Sequence, residues 1–136
     1  MDGVTLTPEK IIENPRGNIL NAMKVSSPGF HGFGEVYFSS IHKDCVKGWT
    51  KHLQMTLNFL VPVGKIEFSI YSENDFFSVT LSVNNYSRLT ICPNIWVAFR
   101  GLSENNLLIN IANQSHDPNE MIKKPIDFLN FGGPSK

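Results

Sequence analysis

The chain of 136 residues and 15.3 kDa has the length of one ordinary domain, and its 41% hydrophobic and 18% charged residues exclude a disordered chain. Twelve basic residues balance twelve acidic ones, so no overall field draws the chain to nucleic acid or to an anionic membrane surface. Cys45 and Cys92 form no C-x-x-C pair and read as free thiols, and no stretch has the character of a membrane span or a leader, so a soluble cytoplasmic protein is expected.

In chain order, residues 1–30 carry short segments broken by Pro15-Arg16-Gly17, and residues 29–34 form a turn-rich lead into a strand. Strands are predicted over residues 35–41, 46–52 and 57–63. In the second, simple alternation sends Thr50 and His52 to one face and Lys47, Trp49 and Lys51 to the other. In the third, Asn58 is an amide inside an apolar run. It reads equally as a satisfied core amide or a ligand contact, because an unpaired buried amide costs about 1 to 3 kcal/mol. After Gly64, residues 65–71 alternate Ile66, Phe68 and Ile70 against Glu67, Ser69 and Tyr71. Residues 72–75 are a polar hairpin tip, and Phe77, Val79 and Leu81 then alternate with Ser78, Thr80 and Ser82. Residues 88–92, 95–99 and 107–113 complete the strands. Only residues 118–123 read as a short helical turn, with Asp117 as N-cap and proline in the first helical position. In the tail, Phe128, Leu129 and Phe131 need burial against the barrel or a partner subunit. Many short strands between turn residues describe a sandwich or a barrel. A barrel of about eight strands has an interior just wide enough for one small ligand, so its mouth is the default site.

The run Gly48-Trp49-Thr50-Lys51-His52, followed by Pro62-Val63-Gly64 and then Pro93-Asn94-Ile95-Trp96, follows the order of the two cupin motifs. Over residues 33–120 the chain resembles the dTDP-4-dehydrorhamnose 3,5-epimerase group and the related dTDP-4-keto-6-deoxyhexose 3,4-ketoisomerases. The stretch His116-Asp117-Pro118-Asn119-Glu120 is similar to the acidic segment after the last barrel strand of that group. The resemblance implies an all-β cupin (jelly-roll) barrel with a short C-terminal helical turn, forming a single domain over 1–136. Within it, residues 1–30 would be N-terminal strands open to exchange in a dimer, 33–120 the barrel and 121–136 a C-terminal tail. It further implies a homodimer that binds a nucleotide sugar, with no metal, no organic cofactor, and no nucleic-acid or membrane partner.

The chemistry implied is proton removal beside the keto group of a nucleotide-linked 4-keto-6-deoxyhexose, which needs a positioned base, a donor for the enolate oxygen and an acid. The family's usual base histidine aligns with Thr50, whose hydroxyl is no base near pH 7. That leaves His52 as the candidate base and Tyr71 as the candidate proton donor. The second-motif histidine position beside Trp96 holds Val97, and with Thr50 and Thr56 in the other places a cupin metal site lacks its ligands. Lys47, Lys51, Arg88 and Arg100 are the candidates for the diphosphate. Trp49 and Trp96 either stack on the base or sugar or pack the barrel. Thr50, Asn58, Trp96 and Asn110 complete the expected substrate contacts, while His31, His42 and His116 read as loop residues in solvent. The expected function is a sugar-nucleotide isomerase of the 3,5-epimerase type in deoxysugar or surface-polysaccharide biosynthesis. The alternatives are 3,4-ketoisomerisation, or a non-catalytic cupin that binds a sugar nucleotide.

Overall fold

A computed structural model describes residues 1–134; Ser135 and Lys136, the end of the expected tail, lie outside the described residues. One five-stranded sheet runs in the order β1 (Val4–Pro8), β9 (Ser87–Ile91), β6 (Leu57–Val63), β11 (Leu107–Ala112), β4 (Glu35–Ser40). The other, also five-stranded, runs β12 (Met121–Lys123), β5 (Val46–His52), β10 (Trp96–Gly101), β7 (Lys65–Ser72), β8 (Asp75–Ser82). A two-stranded hairpin of β2 (Ile11–Ile12) and β3 (Ile19–Leu20) stands near the N-terminus. The two large sheets are antiparallel throughout and pack face to face as a jelly roll. No helix of the described residues is long and apolar enough to cross a membrane.

The alternation in β7 has the expected consequence. Ile66, Phe68 and Ile70 are fully buried between the sheets, where Phe68 stacks on Phe59 with ring centroids 5.6 Å apart and meets Phe99 at 5.7 Å. Each such side chain stabilises the fold by about 1.5–3 kcal/mol relative to exposure, so this cluster fixes the register of both sheets.

Two local features depart from simple periodicity. Residues 118–123 are not one helical turn: Pro118–Glu120 form a single 3-10 turn, with the Asp117 side chain accepting from the Asn119 N–H at 2.9 Å, and Met121–Lys123 extend as β12. The main chain of β12 satisfies its hydrogen bonds on the free edge of β5, which a continued helix would leave unpaired. The second departure is a bulge in β5. Val97 pairs with Thr50 and Phe99 with Lys47, so one extra residue of β5 lies between two inward positions. Gly48 permits it: at φ +142° a Cβ there would lie 2.5 Å from the Ala98 Cβ, so only glycine allows β5 and β10 to approach this closely.

The segment after β12 folds back over the outer face of the second sheet. Trp49, fully buried, donates from Nε1 to the carbonyls of Ile126 (3.0 Å) and Leu129 (3.2 Å). Phe128 packs on Trp96 and Phe131 on Trp49, so the tail's aromatic residues find their burial on the barrel itself.

Candidate active site

Between the sheets, beside the edge formed by β4 and β12, lies a cavity of about 600 Å³. Leu57, Phe59, Val97, Phe99 and Leu108 give it an apolar floor, and Glu35, Tyr37, Ser39, Lys47, Thr50, His52, His116 and Lys123 give it polar walls. β4 contributes Glu35, Tyr37 and Ser39 because it turns its polar face inward and leaves Val36 and Phe38 outside, 50% and 69% exposed. Since β4 is an edge strand lining the cavity, its inward positions meet open space rather than core.

His52 is held firmly. Its Nδ1 lies 2.5 Å from Glu120 Oε1, with the two side chains only 11% and 4% exposed. The other carboxylate oxygen accepts the N–H groups of Gln54 (3.1 Å) and Met55 (3.2 Å), the Glu120 carbonyl accepts from Leu53 N–H at 2.7 Å, and the His52 carbonyl accepts from Asn94 N–H at 2.6 Å. Burial by itself would raise the Glu120 carboxyl. The hydrogen bond from His52, those from the two amides and the electrostatic pull of the adjacent His52 ring outweigh it and hold the group below the ordinary carboxylate range. With Nδ1 committed to the carboxylate, the imidazole keeps Nε2 for the cavity, the arrangement of a base oriented by a buried acid.

The sequence matches the family FdtA, described as WxcM-like, C-terminal, over residues 3–132. The chain belongs to that family. In three dimensions it is similar to a dTDP sugar isomerase from Desulfovibrio desulfuricans G20, with a TM-score of 0.89 and 32% identity, covering 93% of this chain and 87% of that one. The same fold, at lower identity, is that of QdtA, a sugar 3,4-ketoisomerase from Thermoanaerobacterium thermosaccharolyticum in complex with TDP (TM-score 0.81, 19% identity, 94% and 92% covered). It is also that of RmlC, a dTDP-6-deoxy-D-glucose-3,5-epimerase from Legionella pneumophila in complex with dTDP-4-keto-L-rhamnose (TM-score 0.79, 17% identity, 90% and 73% covered). No curated protein matches the sequence.

Within this WxcM-like chain the residues singled out from sequence divide by face. Thr50 and His52 share the cavity wall as expected. Lys47 joins them there rather than opposing them, because the β5 bulge resets the alternation, and its Nζ donates to Ser39 Oγ (2.9 Å) and the Ser40 carbonyl (2.8 Å). Asn110 stands behind the wall, donating from Nδ2 to the Tyr37 hydroxyl at 3.1 Å. The others require correction. Tyr71 is not at the cavity: it faces the opposite side of β7, donates its hydroxyl to the Asn130 carbonyl at 2.6 Å and contacts Trp49, and burial there raises its phenol. Lys51 and Trp96 lie on the same outer face, the ammonium 5.1 Å from the indole centroid, and Arg100 is paired there with Glu67 at 2.6 Å. Asn58 and Arg88 are buried on the outer side of the first sheet, bonded to one another at 2.6 Å. Among the described residues no group of three or more metal-ligating side chains converges.

Glu120, Tyr37 and Lys123 are cavity residues or partners that the sequence did not single out. Glu120 stood in the His116-to-Glu120 stretch quoted for the resemblance, but its partnership with His52 spans 68 positions of sequence. Lys123 reaches the cavity because β12 is a strand, and Tyr37 because β4 presents its polar face inward.

Proposed function

We propose that this chain is an isomerase of a nucleotide-linked 4-keto-6-deoxyhexose, with His52 as its general base. The observation that carries the reading is the His52–Glu120 pair opening onto a cavity of about 600 Å³, within the range that holds a small organic ligand. Family membership and the likeness to a dTDP sugar isomerase support the substrate class. Nε2 takes the proton from the carbon beside the ketone. The electron pair of that C–H bond moves to the carbonyl oxygen as an enolate, and Glu120 stabilises the imidazolium. The Thr50 hydroxyl and the Tyr37 phenol are the donors offered to the enolate oxygen. Protonation of the same carbon from the opposite face, by a water on that side, gives an epimer; alternatively the hydroxyl proton of that carbon passes to the enolate oxygen and the carbon-bound proton returns to the former carbonyl carbon, which moves the carbonyl.

In deuterated solvent the wild type is expected to exchange deuterium into a dTDP-4-keto-6-deoxyhexose, and His52→Ala to slow that exchange about 10²–10⁴-fold. The final position of the carbonyl distinguishes epimerisation from 3,4-ketoisomerisation. Thr50, standing where the resembling enzymes carry their base, favours a second reading in which the cavity binds a sugar nucleotide without turning it over. Binding without any deuterium incorporation by the wild type would establish that reading instead. The exposed Val36 and Phe38 on β4 support a homodimer, which a monomer mass in sedimentation equilibrium would refute.

A further inference from the structure

Lys123 ends β12 directly across from Thr50 on β5, and Met121 stands across from His52. The Lys123 side chain lines the cavity, and among the described residues its ammonium takes part in no ion pair or hydrogen bond. Lys47, the other lysine on that wall, is engaged with Ser39 and Ser40. The Thr50–Lys123 rung lies two residues from the His52 rung, a distance of roughly 6.6 Å along a strand. That matches the scale separating a reacting ring carbon of a hexopyranose from the phosphate on its anomeric oxygen. Lys123 is exposed at the rim. A hydrated ammonium there is screened from a transient enolate in the interior, yet well suited to a permanent, doubly charged group lying across the mouth.

We propose that Lys123 binds the diphosphate of the substrate and, through β12, steadies Glu120 against His52. The inference rests on the sugar-nucleotide reading above. Glu120 immediately precedes β12, whose register is set by its pairing with β5 and by the Trp49–Lys124 backbone bonds just beyond it, so an anion held by Lys123 adds to the contacts that seat the carboxylate on the imidazole. Toward the diphosphate Lys123 is a binding residue; toward the base it is a positioning residue. Recognition of the nucleotide handle and competence of the base then depend on one element.

The test is calorimetric titration of the full chain with dTDP and with thymidine. Lys123→Met is expected to weaken dTDP at least about tenfold, the loss of one charge-assisted hydrogen bond, while leaving thymidine unchanged. Lys123→Arg should restore most of the loss. In amide exchange, dTDP but not thymidine should slow the Gln54 and Met55 N–H groups that donate to Glu120, and Lys123→Met should abolish the effect. Unchanged dTDP affinity, an equal loss for both ligands, or exchange at Gln54 and Met55 indifferent to dTDP would each overturn the proposal. If the wild type binds neither dTDP nor thymidine, it is the sugar-nucleotide reading that fails, and inorganic pyrophosphate then decides the site: binding that Lys123→Met loses sustains an anion site, and no binding by the wild type removes it.

Discussion

Two clusters of buried polar side chains sit on different sheets of this sandwich, and only one of them meets open space. His52 and Glu120 pair at the wall of the cavity. Arg88, Asn58 and Thr90 lie on the outer side of β6 and β9, closed over by the N-terminal segment. There Arg88 Nη1 donates to Asn58 Oδ1 (2.6 Å) and Thr90 Oγ1 (3.0 Å), and Asn58 Nδ2 donates to the Gly29 carbonyl at 3.2 Å. The fit is tight: a Cβ on Gly29 would stand 2.6 Å from the Thr90 hydroxyl oxygen. Burial lowers the Arg88 guanidinium, and Glu9, 3.9 Å away, acts in the opposite sense. Both clusters hold buried charge through internal contacts, the arginine cluster incompletely: only Nη1 of Arg88 is hydrogen-bonded, while among the described residues Nε and Nη2 make no hydrogen bond and Nε faces Glu9 at 3.9 Å. The difference is that the imidazole retains a nitrogen for the cavity, whereas the arginine cluster faces the segment it fastens. Burial with polarity therefore marks an ordered structure in both places, and chemistry requires an opening as well.

The comparison breaks most visibly at Arg88. Arg88→Ala removes a fully buried side chain and leaves Glu9, Asn58 and Thr90 short of a partner. We expect a loss of about 3 kcal/mol in urea-unfolding stability, with dTDP affinity of the folded protein unchanged. A variant that remains folded but no longer binds dTDP would place Arg88 in the site and erase the distinction between the clusters.

Glu120 sharpens the same comparison through pH. Its carboxyl is held below the ordinary range in the folded chain, so the folded state stays ionised at pH values where the unfolded state already takes up a proton. The stability this contributes is complete above the unfolded carboxyl value of about 4.3 and is lost as the pH falls through the lower folded value. Thermal melting of the wild type should therefore decline more steeply below about pH 4.3 than that of Glu120→Gln. The same variant at neutral pH should turn over at least about tenfold more slowly, through loss of a charge-assisted bond to the base. Parallel melting profiles for the two proteins would show that the carboxylate does not hold this charge in the fold.

What could be read from the sequence follows from where one face of a strand meets core. The alternation of Ile66, Phe68 and Ile70 was legible because all three pack between the sheets. The phase of β5 was not, because the bulge at Gly48 and Trp49 depends on the approach of Ala98 from another strand. On β4 the apolar residues Val36 and Phe38 point outward while Glu35 and Tyr37 look into the cavity. A cavity with polar walls inverts the usual pattern, and hydropathy alone has no sign that says so. His52 was legible through the motif order, whereas its partner Glu120 required a single 3-10 turn and a three-residue strand to bring it home.

Tyr71 provides the smallest and most specific check on the division by face. From sequence it was the candidate acid, since it shares the polar side of β7 with Glu67 and Ser69. That polar side is the outer one, and it is roofed by the C-terminal tail, with the Tyr71 hydroxyl on the Asn130 carbonyl and Ser69 Oγ accepting from the Gly132 N–H at 2.9 Å. Tyr71→Phe keeps the ring contacts with Trp49 and Phe76 and deletes one hydrogen bond. The expected cost is about 0.5–1.5 kcal/mol of stability, with faster amide exchange in the tail and an unaltered rate of deuterium incorporation into the substrate. A large fall in that rate with the tail still protected would mean that the phenol reaches the reacting carbon after all, which the placement of β7 forbids.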